Sequence, residues 1–198
     1  FRKELYGQAH ILLGASSATT AGIPGGEELL AAALDVIERF WVEADGAGID
    51  AFDREFHQAE PYRGQNANMH LTEACLAAYE TTGDEQLLER ATRIAHRIAG
   101  RAADATEGAW RLPEHFDAAW RELPDHNRDE LRHPFRPYGS QPGHWLEWSK
   151  LLLQLRGHGI REDWLLDASR NLFDGAFHDA WADNGGFCYT VDWDGKPV

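Results

Sequence analysis

Three stretches of this 198-residue chain share one design, and that repeat restricts the fold more than any other feature. Aligned on His10, His70 and His144, each stretch reaches a glycine (Gly22, Gly83, Gly157) twelve or thirteen residues later. Apolar residues recur at helical spacing within each, and the closing glycine is a helix stop because it enters the left-handed region without a Cβ penalty. A short turn and a second helix follow each stop, over 27–43, 85–101 and 162–177. The chain thus reads as three αα-hairpins. Longer irregular stretches, 44–64 and 103–141, hold most of the prolines, and loops of that length in a compact domain usually carry function. The stretch 186–193, followed by Asp194-Gly195, predicts a late strand and turn.

The two members of each hairpin differ in character. Second helices carry charges such as Glu85, Glu89, Arg90, Arg93 and Arg97, the mark of an outer, solvated layer. First helices are apolar nearly all round. On a wheel with Asn66 at zero, His70, Glu73 and Ala77 fall at about 40°, 340° and 20°, while Leu71, Cys75, Leu76, Ala78 and Tyr79 fill the remainder. That is a buried helix with one polar stripe. Inner helices of this kind with amphipathic outer partners predict an all-α fold of the α/α-toroid class, with short β segments confined to loops. A solenoid of stacked hairpins is the rival, and internal polar stripes favour the toroid.

The same pair recurs on two inner helices, His70-x-x-Glu73 and His144-x-x-Glu147. Residues three apart share a helix face, so each imidazole has a carboxylate beside it to orient it or to share a substrate hydroxyl. Both pairs lie near a helix start, with Asn66 the expected N-cap of the first and Pro142 suited to the first turn of the second. Parallel inner helices would bring His70, Glu73, His144 and Glu147 to one rim, where the helix dipoles favour neutral imidazole, a usable base. A single histidine on an apolar helix is more often a core residue than a catalyst, so His10 is expected in the core. His115, His126, His133 and His158 fall in loops or turns and are expected to be solvated. The tryptophans are expected to be mostly core, although Trp145 and Trp148 flank the second pair and one could stack on a sugar ring.

Other chemistries find less support. A net charge of −14, from 19 Lys and Arg against 33 Asp and Glu, repels phosphate backbones and anionic lipid, so no nucleic-acid or membrane partner is expected. The longest apolar run, 29–37, is broken by Asp35 and is far short of a bilayer span. Arg2 and Lys3 ahead of 11–13 faintly imitate a signal peptide, but Glu4, Gln8 and His10 interrupt it. Two cysteines, Cys75 and Cys188, are too few for a disulfide framework or a zinc cage; both are expected as buried thiols in a cytoplasmic protein. Di-iron bundles place Glu before His, the reverse of this order, and no HExxH, nucleophile-elbow, Walker or dinucleotide pattern is present. The stronger rival is a toroidal glycosidase working with two carboxylates among Glu73, Glu147, Glu114 and Asp117, which leaves the histidines without a role.

The stretches Tyr62-Arg-Gly-Gln-Asn-Ala-Asn-Met-His-Leu-Thr-Glu-Ala74 and Arg136-Pro-Tyr-Gly-Ser-Gln-Pro-Gly-His-Trp-Leu-Glu-Trp148 resemble the N-acylglucosamine 2-epimerase superfamily. The match is closest to its D-mannose isomerase and related aldose–ketose isomerase branch. The opening Tyr6-Gly-Gln-Ala-His-Ile-Leu-Leu-Gly-Ala-Ser-Ser-Ala18 resembles the same branch. The resemblance implies an (α/α)6 barrel that interconverts free monosaccharides through a cis-enediol, with no metal and no other cofactor. By motif it implies that His144 is catalytic with Glu147 beside it, and that Asn66, His70 and Tyr6 line the sugar site; Glu73 and Trp145 join them as expected substrate contacts. A 2-epimerase and a non-catalytic sugar-binding α/α module are the alternatives.

The family carries a second catalytic histidine and a substrate-binding arginine for which this chain has no counterpart, and three hairpins are half of six. Residues 1–198, which begin with Phe1 rather than Met, are therefore expected to be one α/α-barrel domain that is a piece of a larger catalytic domain, with a homo-oligomer as an admissible assembly.

Overall fold

The computed structural model describes residues 2–198. Half of the chain is helical, in α1 (Leu5–Thr20), α2 (Gly26–Glu38), α3 (Gln65–Thr82), α4 (Glu85–Ala99), α5 (Pro142–Gly157) and α6 (Trp164–Ala180), with a 3-10 turn at Gly100–Ala103. Six short strands occupy the connections: β1 (Arg2–Glu4), β2 (Trp41–Val42), β3 (Ala47–Gly48), β4 (Ala51–Asp53), β5 (Tyr62–Gly64) and β6 (His115–Asp117). The expected class, an all-α fold of the α/α-toroid type with β segments in loops, holds. The chain divides into two compact units, Phe1–Ile94 and Ala95–Val198, with the boundary inside α4.

In the first unit α1 packs on both α2 and α3. α2 turns Leu30, Ala33 and Ile37 inward and leaves Glu27, Glu28, Asp35 and Glu38 in solvent, the pattern of an outer helix. It stops at Glu38, short of the expected 43, because β2 and β3 pair as an antiparallel hairpin through Trp41↔Gly48 and Val42↔Ala47, and left-handed Gly46 (φ 62°) turns the chain between them. The wheel expected for α3 is observed: Asn66, His70, Glu73 and Ala77 are half-buried, while Met69, Leu71, Ala74, Cys75, Leu76 and Ala78 are buried around them.

The cap of α3 differs from expectation. Gly64 is the N-cap residue, Asn66 is already helical, and no side chain caps the helix. Asn68 does the anchoring instead. Fully buried, it accepts from Gly48 N (2.7 Å) and donates to Gly48 O and Gly64 O (3.1 Å each), which ties β3 to the first turn of α3. Close approach requires glycine at 48, since a Cβ there would stand 2.6 Å from Leu5 Cδ2.

In the second unit α5 packs on α6 and buries Leu151, Leu152 and Leu155, and Ser149 and Ser169 exchange hydrogen bonds between the two helices. Pro142 sits in the first turn of α5, where its missing N–H costs nothing. Gly157 is the last helical residue rather than the stop; His158 N–H still reaches back to Gln154 O, and the left-handed residue is Gly159 (φ 99°). The late strand expected over 186–193 is absent. Single bridges stand in its place, Trp181↔Phe187, Ser140↔Val191 and Val191↔Pro197, because each residue meets a different segment and no ladder builds. The expected turn is present, with Asp192 N bonded to Lys196 O around left-handed Gly195. Asp179, its side chain only 2% exposed, accepts from Arg111 Nε (2.7 Å) and Trp110 Nε1 (2.8 Å), and Arg111 also donates to Trp193 O, holding this terminal segment against α6.

Candidate active site

His144 lies in the first turn of α5, its side chain 13% exposed. Its Nδ1 donates to Glu114 Oε2 at 2.8 Å, and the Glu114 side chain is 2% exposed. Glu114 precedes β6 and collects two further donors, Gln141 N on Oε1 (3.0 Å) and Gln141 Nε2 on Oε2 (3.2 Å). Three donors fix this buried carboxylate in place, and it in turn fixes the imidazole tautomer: with the proton on Nδ1, Nε2 is the basic nitrogen of neutral His144. Burial alone pushes the His144 pKa down, but the charge and hydrogen bond of Glu114, with a smaller contribution from Glu147, outweigh it and hold it above the ordinary 6.5. The expectation that the helix dipole would leave this histidine readily neutral is thereby corrected: two carboxylates dominate the local field.

Glu147 is exposed and its charge acts on His144 more weakly than that of Glu114, which comes from the long irregular stretch and takes Nδ1. Trp145 is corrected: fully buried, with its indole N–H on Ser140 Oγ (2.8 Å) and Ser140 Oγ on Leu112 O (2.6 Å), it offers no face for a sugar and instead braces the start of α5. Trp148 is equally buried.

In the first unit the repeated pair takes its expected form more nearly. His70 Nδ1 lies 3.7 Å from Glu73 Oε2, close enough for a charge interaction but long for a hydrogen bond. Tyr6 and His10, one turn apart on α1, complete a cluster of three rings: Tyr6–His10 centroids are 4.5 Å apart, His10–His70 4.5 Å, and Tyr6–His70 5.1 Å edge-on. His10 is exposed rather than in the core, because it lies on the face of α1 opposite Ala9, Leu12 and Ala15. Asn66 Oδ1 is buried without a hydrogen-bond partner, an acceptor held on the same stripe as His70.

The loop histidines are not solvated as expected. His115 is buried, its Nε2 donates to Pro137 O (2.8 Å), its ring lies 4.4 Å from that of His126, and burial pushes its pKa below the ordinary value. His126, His133 and His158 are half-buried; His133 Nδ1 accepts the N–H groups of Phe135 and Arg136. The long loop folds on its own imidazoles, which helical periodicity could not foresee. Among the described residues no three His, Cys, Asp or Glu side chains are grouped as a metal site, and no helix is long and apolar enough to cross a membrane.

The second unit holds a histidine pinned by a buried carboxylate at a helix start, and the first unit a polar stripe on a buried helix. The model of the N-acylglucosamine 2-epimerase family matches residues 1–198. The chain belongs to that family. It is 48% identical over its whole length to a D-mannose isomerase of Thermobifida fusca and 43% identical over 99% of its length to one of Pseudomonas cannabina pv. alisalensis, covering 49% of each. A crystal structure of D-mannose isomerase superposes with a TM-score of 0.90 at 35% identity, over 98% of this chain and 50% of that one. A cellobiose 2-epimerase from Spirochaeta thermophila shares the fold, with a TM-score of 0.61 at 16% identity, over 100% of this chain and 64% of the other. The chain spans about half the length of the curated relatives it matches.

Proposed function

We propose that this chain belongs to an aldose–ketose isomerase that converts a mannose-like aldose into its fructose-like ketose, with His144 as the acid/base. The observation that carries the reading is the His144–Glu114 pair, joined to 48% and 43% identity with D-mannose isomerases. Once the sugar ring has opened, the base takes the proton from C2, whose electron pair becomes the C1–C2 double bond of an enediolate as charge moves to O1. Delivery of a proton to C1, with transfer of the O2 proton to O1, leaves a ketone at C2. His144 Nε2 is suited to both transfers: neutral, it accepts the C2 proton; as imidazolium beside Glu114, its N–H exchanges with solvent and then delivers a proton to C1. A pKa raised from 6.5 makes it a stronger base than free imidazole, and Glu114 keeps the ring from turning between the two transfers.

Tyr6, Asn66, His70 and Glu73 are assigned in this reading to the sugar hydroxyls, with Glu147 as a second carboxylate whose field assists His144. The net charge of −14 supports a neutral sugar over a phosphorylated one, and the two unpaired cysteines support a cytoplasmic location. The chemistry assigned to these residues calls for no cofactor.

The test is incubation of the full-length protein with D-mannose in D2O, followed by NMR. Fructose carrying solvent deuterium at C1 supports the reading. The family model carries the name of a 2-epimerase, and a C2-epimeric aldose labelled at C2 would establish that activity instead. Binding of mannose without conversion would establish a sugar-binding module.

A further inference from the structure

We infer that His10, on the exposed face of α1, is a further hydroxyl-binding side chain of the sugar site, and that it accepts a hydrogen bond from a neutral monosaccharide through Nε2. The inference rests on the sugar-isomerase reading above and adds a residue to it. His10 Nδ1 lies 2.9 Å from Tyr6 O, one turn back on the same helix. A carbonyl oxygen only accepts, so the proton of neutral His10 is on Nδ1, and Nε2 carries the lone pair. That bond also holds the imidazole upright against Tyr6 and, at 4.5 Å between centroids, against His70 on α3. A side chain locked in one tautomer, exposed, and packed against the tilted rings of Tyr6 and His70 is a prepared acceptor, and it loses little rotamer freedom on binding.

The neighbouring groups define what it would accept. Glu73 stands 3.7 Å from His70 Nδ1, so an anionic sugar meets a carboxylate at this corner, whereas a hydroxyl can donate to His10 while its oxygen accepts from a neighbouring donor. Tyr6 supplies a phenol that both donates and accepts, and Asn66 Oδ1 is a further acceptor on α3. Adjacent hydroxyls of an uncharged sugar satisfy such a set; a phosphate or carboxylate does not.

Three variants of the full-length protein separate this role from a structural one. His10→Phe keeps the ring packing on Tyr6 and His70 and removes both nitrogens. His10→Gln places a side-chain oxygen near the position of Nε2, and His10→Asn places an amide nitrogen near that of Nδ1. Loss of one hydroxyl contact predicts a KM for mannose about 10-fold higher in the Phe and Asn variants, with kcat within about 2-fold of wild type and the Gln variant recovering most of the affinity. Thermal melting checks that the variants fold alike. An unchanged KM in His10→Phe overturns the assignment, as does rescue by Asn and not by Gln, which would show that only the bond to Tyr6 O matters. A wild-type protein that leaves mannose unconverted would remove the isomerase reading itself, and this inference with it, whereas an active wild type with an indifferent Phe variant removes this inference alone.

Discussion

Replacing Glu114 by Gln is the most informative single change to the His144 arrangement. The two side chains have the same shape, so packing is preserved, but the carboxylate now accepts three hydrogen bonds, from His144 Nδ1, Gln141 N and Gln141 Nε2. An amide has one acceptor oxygen and one donor nitrogen. Turned either way, it confronts at least one buried N–H with another N–H. One bond to a charged acceptor lost and one donor left unsatisfied cost about 2–4 kcal/mol of stability. For catalysis, a histidine no longer held in one tautomer by an anion loses much of what a positioned general base supplies, and kcat is expected to fall by about 10²-fold with a much smaller change in KM.

The pH profile gives the decisive reading. Glu114 raises the His144 pKa, so its removal moves the His144 limb of kcat/KM to lower pH. Stability moves in the same sense. A histidine whose folded pKa lies above 6.5 stabilises the fold fully below pH 6.5, and that contribution disappears as pH rises through the higher folded value. The wild type therefore loses this increment of stability across that window and Glu114→Gln does not. The assays are initial rates of mannose turnover from pH 5 to 9 and denaturant melts at the two ends of that range. An unchanged kcat with an unmoved pH limb would refute the argument that Glu114 sets the state of His144.

Two further changes test the supporting structure. Asn68→Ala removes three buried hydrogen bonds and strands Gly48 N–H and C=O, so a loss of about 2–4 kcal/mol and a fall in Tm of several degrees are expected by calorimetry; an unshifted melt would show that β3 needs no tie to α3. Cys75 is fully buried and burial pushes its thiol up to about 12, whereas Cys188 is only half-buried. A thiol reagent at pH 8 should therefore titrate one of these two cysteines in the native protein and both in denaturant, and rapid native modification of Cys75 would contradict its burial.

The sequence was most informative where function and periodicity coincide. On α3 one helical wheel separated Asn66, His70, Glu73 and Ala77 from the buried remainder, because a buried helix can keep polar groups only on the face that is not packed. The same reasoning applied to α5 found one carboxylate near His144 and missed the one on Nδ1. Spacing along a helix makes Glu147 as good a partner for His144 as Glu73 is for His70, but the Nδ1 of His144 is taken by Glu114, thirty positions earlier in an irregular stretch whose path no local pattern encodes. His10 was misplaced for a related reason: α1 is apolar by composition yet buries only the stripe of Leu5, Ala9, Leu12 and Ala15, leaving Tyr6 and His10 on its open side. The Asn pair near the start of α3 shows the resolution limit of capping rules. Both residues are good caps, but the observed anchor is Asn68, through a tertiary bond to Gly48 rather than to its own helix.

The central claim is that His144 takes the proton from C2 and protonates C1. It is tested most directly by following the full-length protein and its His144→Asn variant with D-mannose in D2O by NMR, after circular dichroism has shown that both fold. Wild type is expected to yield fructose with deuterium at C1, and the variant neither fructose nor exchange of the C2 proton. Fructose formed by the variant at a rate near that of wild type would contradict the account.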